Sequence, residues 1–264
     1  MNPEAAGGQS GYQSPSSDGE PPHLASALRG TRFDELTFLS AEDRRALAQI
    51  STALRSFSAG VDLVTEGVRT DHIYFLTQGW ACRYKTTRQG ARQITGLAVP
   101  GDVCNLDSFM RAEVNFGVRS LTAVTVAKLP RDRVQALAAE RPGVARAFTW
   151  LSIMENSILS ERALSIGRKS ARERLAHFLC ELSTRLGSAV GNEAVFLLPI
   201  TQEQIADVLG LTSVHVNRTM RSLRAEGLIA GAGRQVTVPD MAMLSRVGGF
   251  DGSYLHAIPL LWAN

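Results

Sequence analysis

The sequence predicts an α+β chain: a roll or sandwich of short strands, then a long helix, then a winged helix-turn-helix. Three observations predict it. Between about Arg55 and Leu129, short β-type runs such as HIYFLTQG, WACRYKT, RQITGLAV and LTAVTVAKL are punctuated by Gly, Asp and Pro. After Pro142 the period becomes helical, with Val144, Ala147, Leu151, Met154 and Ile158 at alternating three- and four-residue steps. Residues 201–229, TQEQIADVLGLTSVHVNRTMRSLRAEGLI, hold two amphipathic segments joined by a glycine.

Composition sets the bounds. The 264 residues suggest about two domains, and 44% hydrophobic content is too high for a disordered chain. A net charge of +3 is compatible with a polyanion partner without being diagnostic of one. Cys82, Cys104 and Cys180 are odd in number and widely spaced. They argue against a disulfide framework and for a reduced, cytoplasmic setting. No apolar run reaches the roughly 18–20 residues of a membrane span; AIPLLWA is far shorter. The first residues, MNPEAAGGQSGYQSPSSDGEPPH, lack the basic start and apolar stretch of a signal peptide. Their Gly, Ser, Pro and Gln content predicts a disordered tail over residues 1–22.

Order is expected from near Leu24. In FLSAEDRRALAQI, Ser40 is placed as a helix N-cap with Asp43 three residues on, and Leu47 and Ile50 share a face. TTRQGARQ reads as a hairpin turn at Gly90. Pro142 suits the first turn of the long helix. The stripe Val144, Ala147, Leu151, Met154, Ile158 is read as the dimer interface, a seam between two copies of the helix. A helix lying on its own domain's core would show the same period. Gly167 interrupts the pattern, and RKSARERLAHFLCELSTRLG starts another helix with Leu175, Phe178, Leu179 and Leu182 inward. The domain boundary falls near residues 165–168.

The 201–229 stretch is read in more detail. Thr201 caps the first segment with Gln204 at the reciprocal position, and Ile205, Val208 and Leu209 form its apolar face. Ala206 is small where a second helix would cross. Gly210 supplies the left-handed residue of a helix end. Thr212 caps a second helix from Ser213 to about Glu226, with Val216, Met220 and Leu223 inward. LIAGAGRQVTV adds two short strands around Gly231–Gly233, a wing. This is the helix-turn-helix pattern. A helix of this diameter enters the DNA major groove, where bidentate Arg on guanine gives about 1–3 kcal/mol of discrimination. Asn can read adenine, and Ser, Thr or backbone N–H groups at helix starts can hold phosphates. The candidate DNA-binding set is Thr201, Gln202, Thr212, Ser213, His215, Asn217, Arg218 and Arg221. From Arg168 to Val238, nine Lys and Arg stand against six Asp and Glu, which places the basic excess in this segment. The plain alternative is a solvated face with incidental arginines; it requires cap, glycine, alanine and wing to coincide.

Over about residues 25–248 the chain resembles the Crp/Fnr family of transcription regulators, relatives of the cAMP receptor protein, most closely in LPITQEQIADVLGLTSVHVNRTMRSLRAEGLI. The TSVHVNR run resembles a branch rich in alphaproteobacterial members. The resemblance implies a cyclic-nucleotide-binding-type β-roll over 23–141 and a dimerisation helix over 142–166. It also implies a winged helix-turn-helix over 167–248 and a C-terminal tail over 249–264. Function would then be that of a homodimeric activator or repressor on a pseudo-palindromic operator, with RNA polymerase as a further partner. Arg218 aligns with the family's guanine-reading arginine, and the position four before it, often Glu in the family, is Val214 here.

By the same alignment, Asn105 and Leu106 occupy the Gly-Glu positions of a cAMP pocket, and Val114 and Asn115 the Arg-Ser positions. A cyclic phosphate without its arginine is poorly compensated, so no cAMP binding is expected. Arg111 and Arg119 lie near enough in sequence to hold an anion; otherwise they are surface or strand ion-pair residues. These six residues are the candidate effector pocket, for an unidentified effector or for none. The family's iron–sulfur cluster needs four thiolates, and none precedes Cys82. His23, His72, His177, His215 and His256 are isolated, which supports neither haem nor zinc. Cys104 is a candidate thiol sensor or an inert core residue. With no P-loop, G-x-S-x-G or H-E-x-x-H, an enzyme is not expected. The rival function is a ligand- or redox-gated interaction module whose sensor half controls a protein partner.

Overall fold

The computed structural model describes Leu36 and residues 39–256. The predicted tail over 1–22, the start of order near Leu24, His23 and AIPLLWA lie outside them.

Helix α1 (Ala41–Ile50) opens on a capping box. Asp43 N–H donates to the Ser40 hydroxyl at 3.0 Å and Ser40 N–H to the Asp43 carboxylate at 3.1 Å. Seven strands follow: β1 (Ala53–Phe57), β2 (Asp62–Val64), β3 (His72–Gln78), β4 (Ala81–Thr86), β5 (Arg92–Ala98), β6 (Gly117–Ser120) and β7 (Val124–Pro130). They form two antiparallel sheets, ordered β1-β7-β3 and β2-β6-β4-β5. The β4–β5 hairpin reverses at Gly90, whose φ of 88° suits a residue without Cβ. Side chains alternate as a pleated strand requires. Leu76, Val124 and Val126 face the other sheet, packing with Ala81, Ala98, Cys104 and Val118. Ile73, Phe75 and Leu129 face the opposite way and need cover.

Helices α2 (Arg131–Glu140) and α3 (Pro142–Arg168) supply that cover. Val144, Ala147, Leu151, Met154 and Ile158 of α3 are buried there in one core with Ile73, Phe75, Leu129 and Val134. Phe148 stacks on Phe109 at 4.7 Å between centroids and meets the edge of Phe75 at 6.4 Å. The stripe expected between two copies is therefore consumed within one chain. The reason is that an exposed apolar sheet face and a partner helix demand the same 3.5-residue spacing.

Helix α4 (Ala171–Arg185) starts two residues later on a second capping box, Ser170 with Glu173. Then come β8 (Ala189–Val190), β9 (Glu193–Leu197), α5 (Gln202–Leu209), α6 (Ser213–Ala225), β10 (Gln235–Val238) and α7 (Met241–Gly248). The small sheet is ordered β10-β9-β8. The wing differs from expectation: its first strand shrinks to a single bridge between Ala230 and Thr237. Gly231, at φ 102°, lies so close to the Gln235 carbonyl that a Cβ would stand 2.4 Å from the oxygen, so this reversal takes glycine alone. Residues 249–256, expected as the start of a tail, fold back instead. Asp251 caps a 3-10 turn over Gly252–Leu255, and Leu255 is buried in the α3 core.

The two halves share a core. Trp80, Cys82, Ile94, Leu97 and Val99 of the roll lie in one apolar cluster with Leu175, Phe178, Leu179 and Leu182 of α4 and Ile205 and Leu209 of α5.

Candidate nucleic-acid interface

Local bonds build the helix pair. Gln204 N–H donates to the Thr201 hydroxyl at 3.1 Å and Thr201 N–H to the Gln204 side-chain oxygen at 2.8 Å. Gly210 ends α5 at φ 63°, ψ 42°. His215 N–H then donates to the Thr212 hydroxyl at 3.3 Å, starting α6. Val216, Met220 and Leu223 bury one face of α6, and Ala206 is buried on α5, where the two helices pack. The opposite face of α6 contributes Ser213, Val214, Asn217, Arg218 and Arg221 to an open cleft that Gln202 completes. Asn217 donates to Gln202 across it at 3.0 Å.

The structure thus brings together Gln202, Ser213, Asn217, Arg218 and Arg221 of the sequence-derived set. It adds Val214, which that set omitted because an apolar residue carries no readable donor or acceptor. Thr201, Thr212 and His215 are exposed at the margin and do not line the cleft. The two threonine hydroxyls accept as caps and keep their hydrogens to donate, which suits a phosphate oxygen.

The cleft is held on a stiff seat. Arg174 donates to the carbonyls of Ile166 (2.7 Å), Lys169 (2.9 Å), Leu209 (3.1 Å) and Gly210 (3.4 Å). It thereby serves carbonyls that the ends of α3 and α5 leave without helical partners. From the roll, Arg92 reaches Asp207 of α5 with two N–H groups at 3.1 and 2.8 Å, and the Gln93 amide donates to the Asp207 carbonyl. Deeper, Arg185 of α4 donates to Asp102 at 2.7 Å and to the Leu97 carbonyl at 2.6 Å.

A second cavity, of about 480 Å³, lies between the roll and α3. Leu106 and Asn115 line it, as expected, but four of the six effector-pocket candidates do not. Asn105 is fully buried, accepting from Tyr74 N–H at 2.9 Å and donating to the His72 carbonyl and the Ser108 hydroxyl. Val114 is in the core between the sheets, Arg119 pairs with Asp62 at 3.1 Å, and Arg111 is exposed elsewhere. The cavity's cations are Arg83 and Lys85, which sequence inspection missed because β4 is distant in sequence from the loop that marks the pocket. Arg83 is ion-paired with Glu155 of α3 and Lys85 with Glu66.

Cys104 has no exposed surface, and burial pushes its thiol up to about 12, far from a reactive thiolate. Among the described residues, no group of three or more His, Cys, Asp or Glu side chains is placed to hold a metal ion.

Residues 173–247 match the family described as Crp-like helix-turn-helix domain, and residues 54–141 that described as cyclic nucleotide-binding domain. The nitrogen fixation regulation protein FixK of Bradyrhizobium diazoefficiens is 34% identical over 174 residues, covering 66% of this chain and 73% of that protein. The transcriptional activator protein FnrL of Cereibacter sphaeroides is 31% identical over 215 residues, 80% of this chain and 86% of its own length. The structure of FixK2 from Bradyrhizobium japonicum matches with a TM-score of 0.67 and 26% identity, over 74% of this chain and 96% of that one. With this identity sustained across both halves, the chain belongs to the Crp/Fnr family of transcription regulators and carries that family's helix-turn-helix DNA-binding domain.

Proposed function

We propose that the protein acts as a homodimer on a pseudo-palindromic operator, reads bases through α6, and does so without cAMP. The observation that carries this is the division of α6: one face is buried apolar, and the other gathers Arg218, Arg221, Asn217 and Ser213 into one cleft. Nothing in a folded helix pair requires that second face, whereas a major groove does.

The dimer contact is assigned to the outer face of α3. Trp150, Ile153, Ser157, Ser160, Leu164 and Gly167 follow one another at steps of three and four. Ile153 is 52% and Leu164 48% exposed, and the small residues between and beyond them let a second helix approach closely. Pairing there would present two α6 helices to successive major grooves, about 34–36 Å apart.

Against cAMP stands the charge of the roll cavity. Its two cations are already paired with carboxylates, and Asp107 adds another negative charge to the lining. A phosphate monoanion entering there would lack a free guanidinium. Family membership supports action by binding rather than catalysis, in the cytoplasm where the DNA lies, with RNA polymerase contacted during activation. Among the described residues, no helix is long and apolar enough to cross a membrane.

The test is selection from randomised duplex DNA with the purified, reduced protein at fixed salt and no added effector. A palindromic site with half-sites one helical turn apart is expected. Arg218→Ala should then cost about 1–3 kcal/mol and relax discrimination at one base pair per half-site. Sequence-blind binding, or equal loss on every sequence, would overturn the reading.

A further inference from the structure

We infer that Val214 reads the 5-methyl group of a thymine beside the guanine read by Arg218, so that this chain selects by apolar contact where much of its family uses a carboxylate. The inference rests on the reading of α6 as a major-groove helix and adds the identity of a second base.

Val214 lies in the first turn of α6 and is 66% exposed. It takes no part in the apolar clusters that hold the domain together. Its neighbours in the cleft are all polar or charged: Gln202, Ser213, Asn217, Arg218 and Arg221. Among the described residues, this exposed valine belongs to no apolar cluster. In the major groove the thymine methyl is the apolar group a valine can cover, while every other base-edge feature there is a hydrogen-bond donor or acceptor. Cytosine presents only a C5–H where thymine carries the methyl, so the valine loses this contact on cytosine and favours thymine.

Spacing fixes where the thymine lies. Val214 and Arg218 are four residues apart on one helical face, a rise of about 6 Å. Base pairs are stacked at about 3.4 Å, so thymine and guanine stand within about two base pairs of each other. Gln202 and Asn217, which line the same cleft, are hydrogen-bonded to each other at 3.0 Å.

The experiment starts from the selected operator. Each thymine of a half-site is replaced in turn by deoxyuridine, which lacks only the methyl group, and binding is measured at fixed salt for the wild type and Val214→Ala. One thymine near the guanine should lose about fourfold per half-site, and about fifteenfold when both half-sites are changed, from burial of one methyl group. In Val214→Ala the loss should shrink below about twofold while discrimination at the guanine remains. At the same position, 5-methylcytosine should bind the wild type better than cytosine by a similar factor. If no deoxyuridine matters, or the loss persists in Val214→Ala with guanine discrimination intact, the inference is overturned and the base-reading role of Arg218 stands. Sequence-blind binding by the wild type would overturn both.

Discussion

Glu181 is charged at 2% exposure because of what surrounds it. Arg162 stands at 3.2 Å and Arg185 at 3.3 Å, and the Tyr254 hydroxyl donates to it at 3.2 Å. Tyr254 in turn meets His177 Nε2 at 3.2 Å, and His177 Nδ1 faces Lys169 at 2.7 Å. Since the ammonium can only donate, Nδ1 accepts and Nε2 carries the ring proton toward Tyr254. Burial alone would raise the Glu181 carboxyl; the two guanidiniums, with the hydrogen bond from Tyr254, reverse that and hold it below its ordinary 4.5. A depressed carboxylate contributes its stability in full above the unfolded value and loses it as pH falls through the folded one. Glu181→Gln leaves the guanidiniums under-compensated, at a cost of about 3–5 kcal/mol. Its melting temperature should lie well below the wild type at about pH 7, with the gap narrowing as pH drops below about 4.5 and closing once pH falls through the lower folded value, where the native carboxyl is neutral too. A gap unchanged down to about pH 3 would show that charge is not the cause.

Helix α3 has two apolar stripes with different tasks. The inner one, through Leu151 and Met154, is filled by the roll, and the outer one, through Ile153 and Leu164, is exposed and is the face proposed to meet a second copy. Ile153→Asp and Leu164→Asp should therefore yield a folded monomer by sedimentation and circular dichroism, with DNA binding weakened. Leu151→Asp should instead unfold the roll, by about 3 kcal/mol or more, because it buries an unpaired charge. A folded dimer in the first two variants would move the seam elsewhere. The sequence shows the period of α3 plainly but not which stripe meets which surface. The aliphatic inner stripe looks like a seam, while Ser157, Ser160 and Gly167 look like ordinary surface. Caps behaved differently: Ser40 with Asp43, Thr201 with Gln204, and Gly210 were all legible, since a cap closes within a few residues. The roll cavity was not, because Arg83 and Glu155 meet across 72 residues of chain.

At the scale of the whole molecule, a boundary near 165–168 suggests two independent halves, and the packing does not. Trp80, Ile94 and Leu97 fill the core of the helical half, and Arg185 reaches back to Asp102. These contacts pair residues that carry no mutual pattern in the sequence, so only folding reveals them. One cooperative unfolding step is expected, with tryptophan emission and far-ultraviolet circular dichroism giving the same midpoint. Two separated midpoints would show that the halves melt on their own.

The fusion of the two cores also limits how such regulators can be recombined. A chimera joined at residue 168 would set a foreign α4 against Trp80, Ile94 and Leu97 and a foreign α5 against Arg92, so the grafted head would inherit an ill-fitting socket. New operator preferences are more readily installed by repainting the outer face of α6 than by transplanting the domain that bears it.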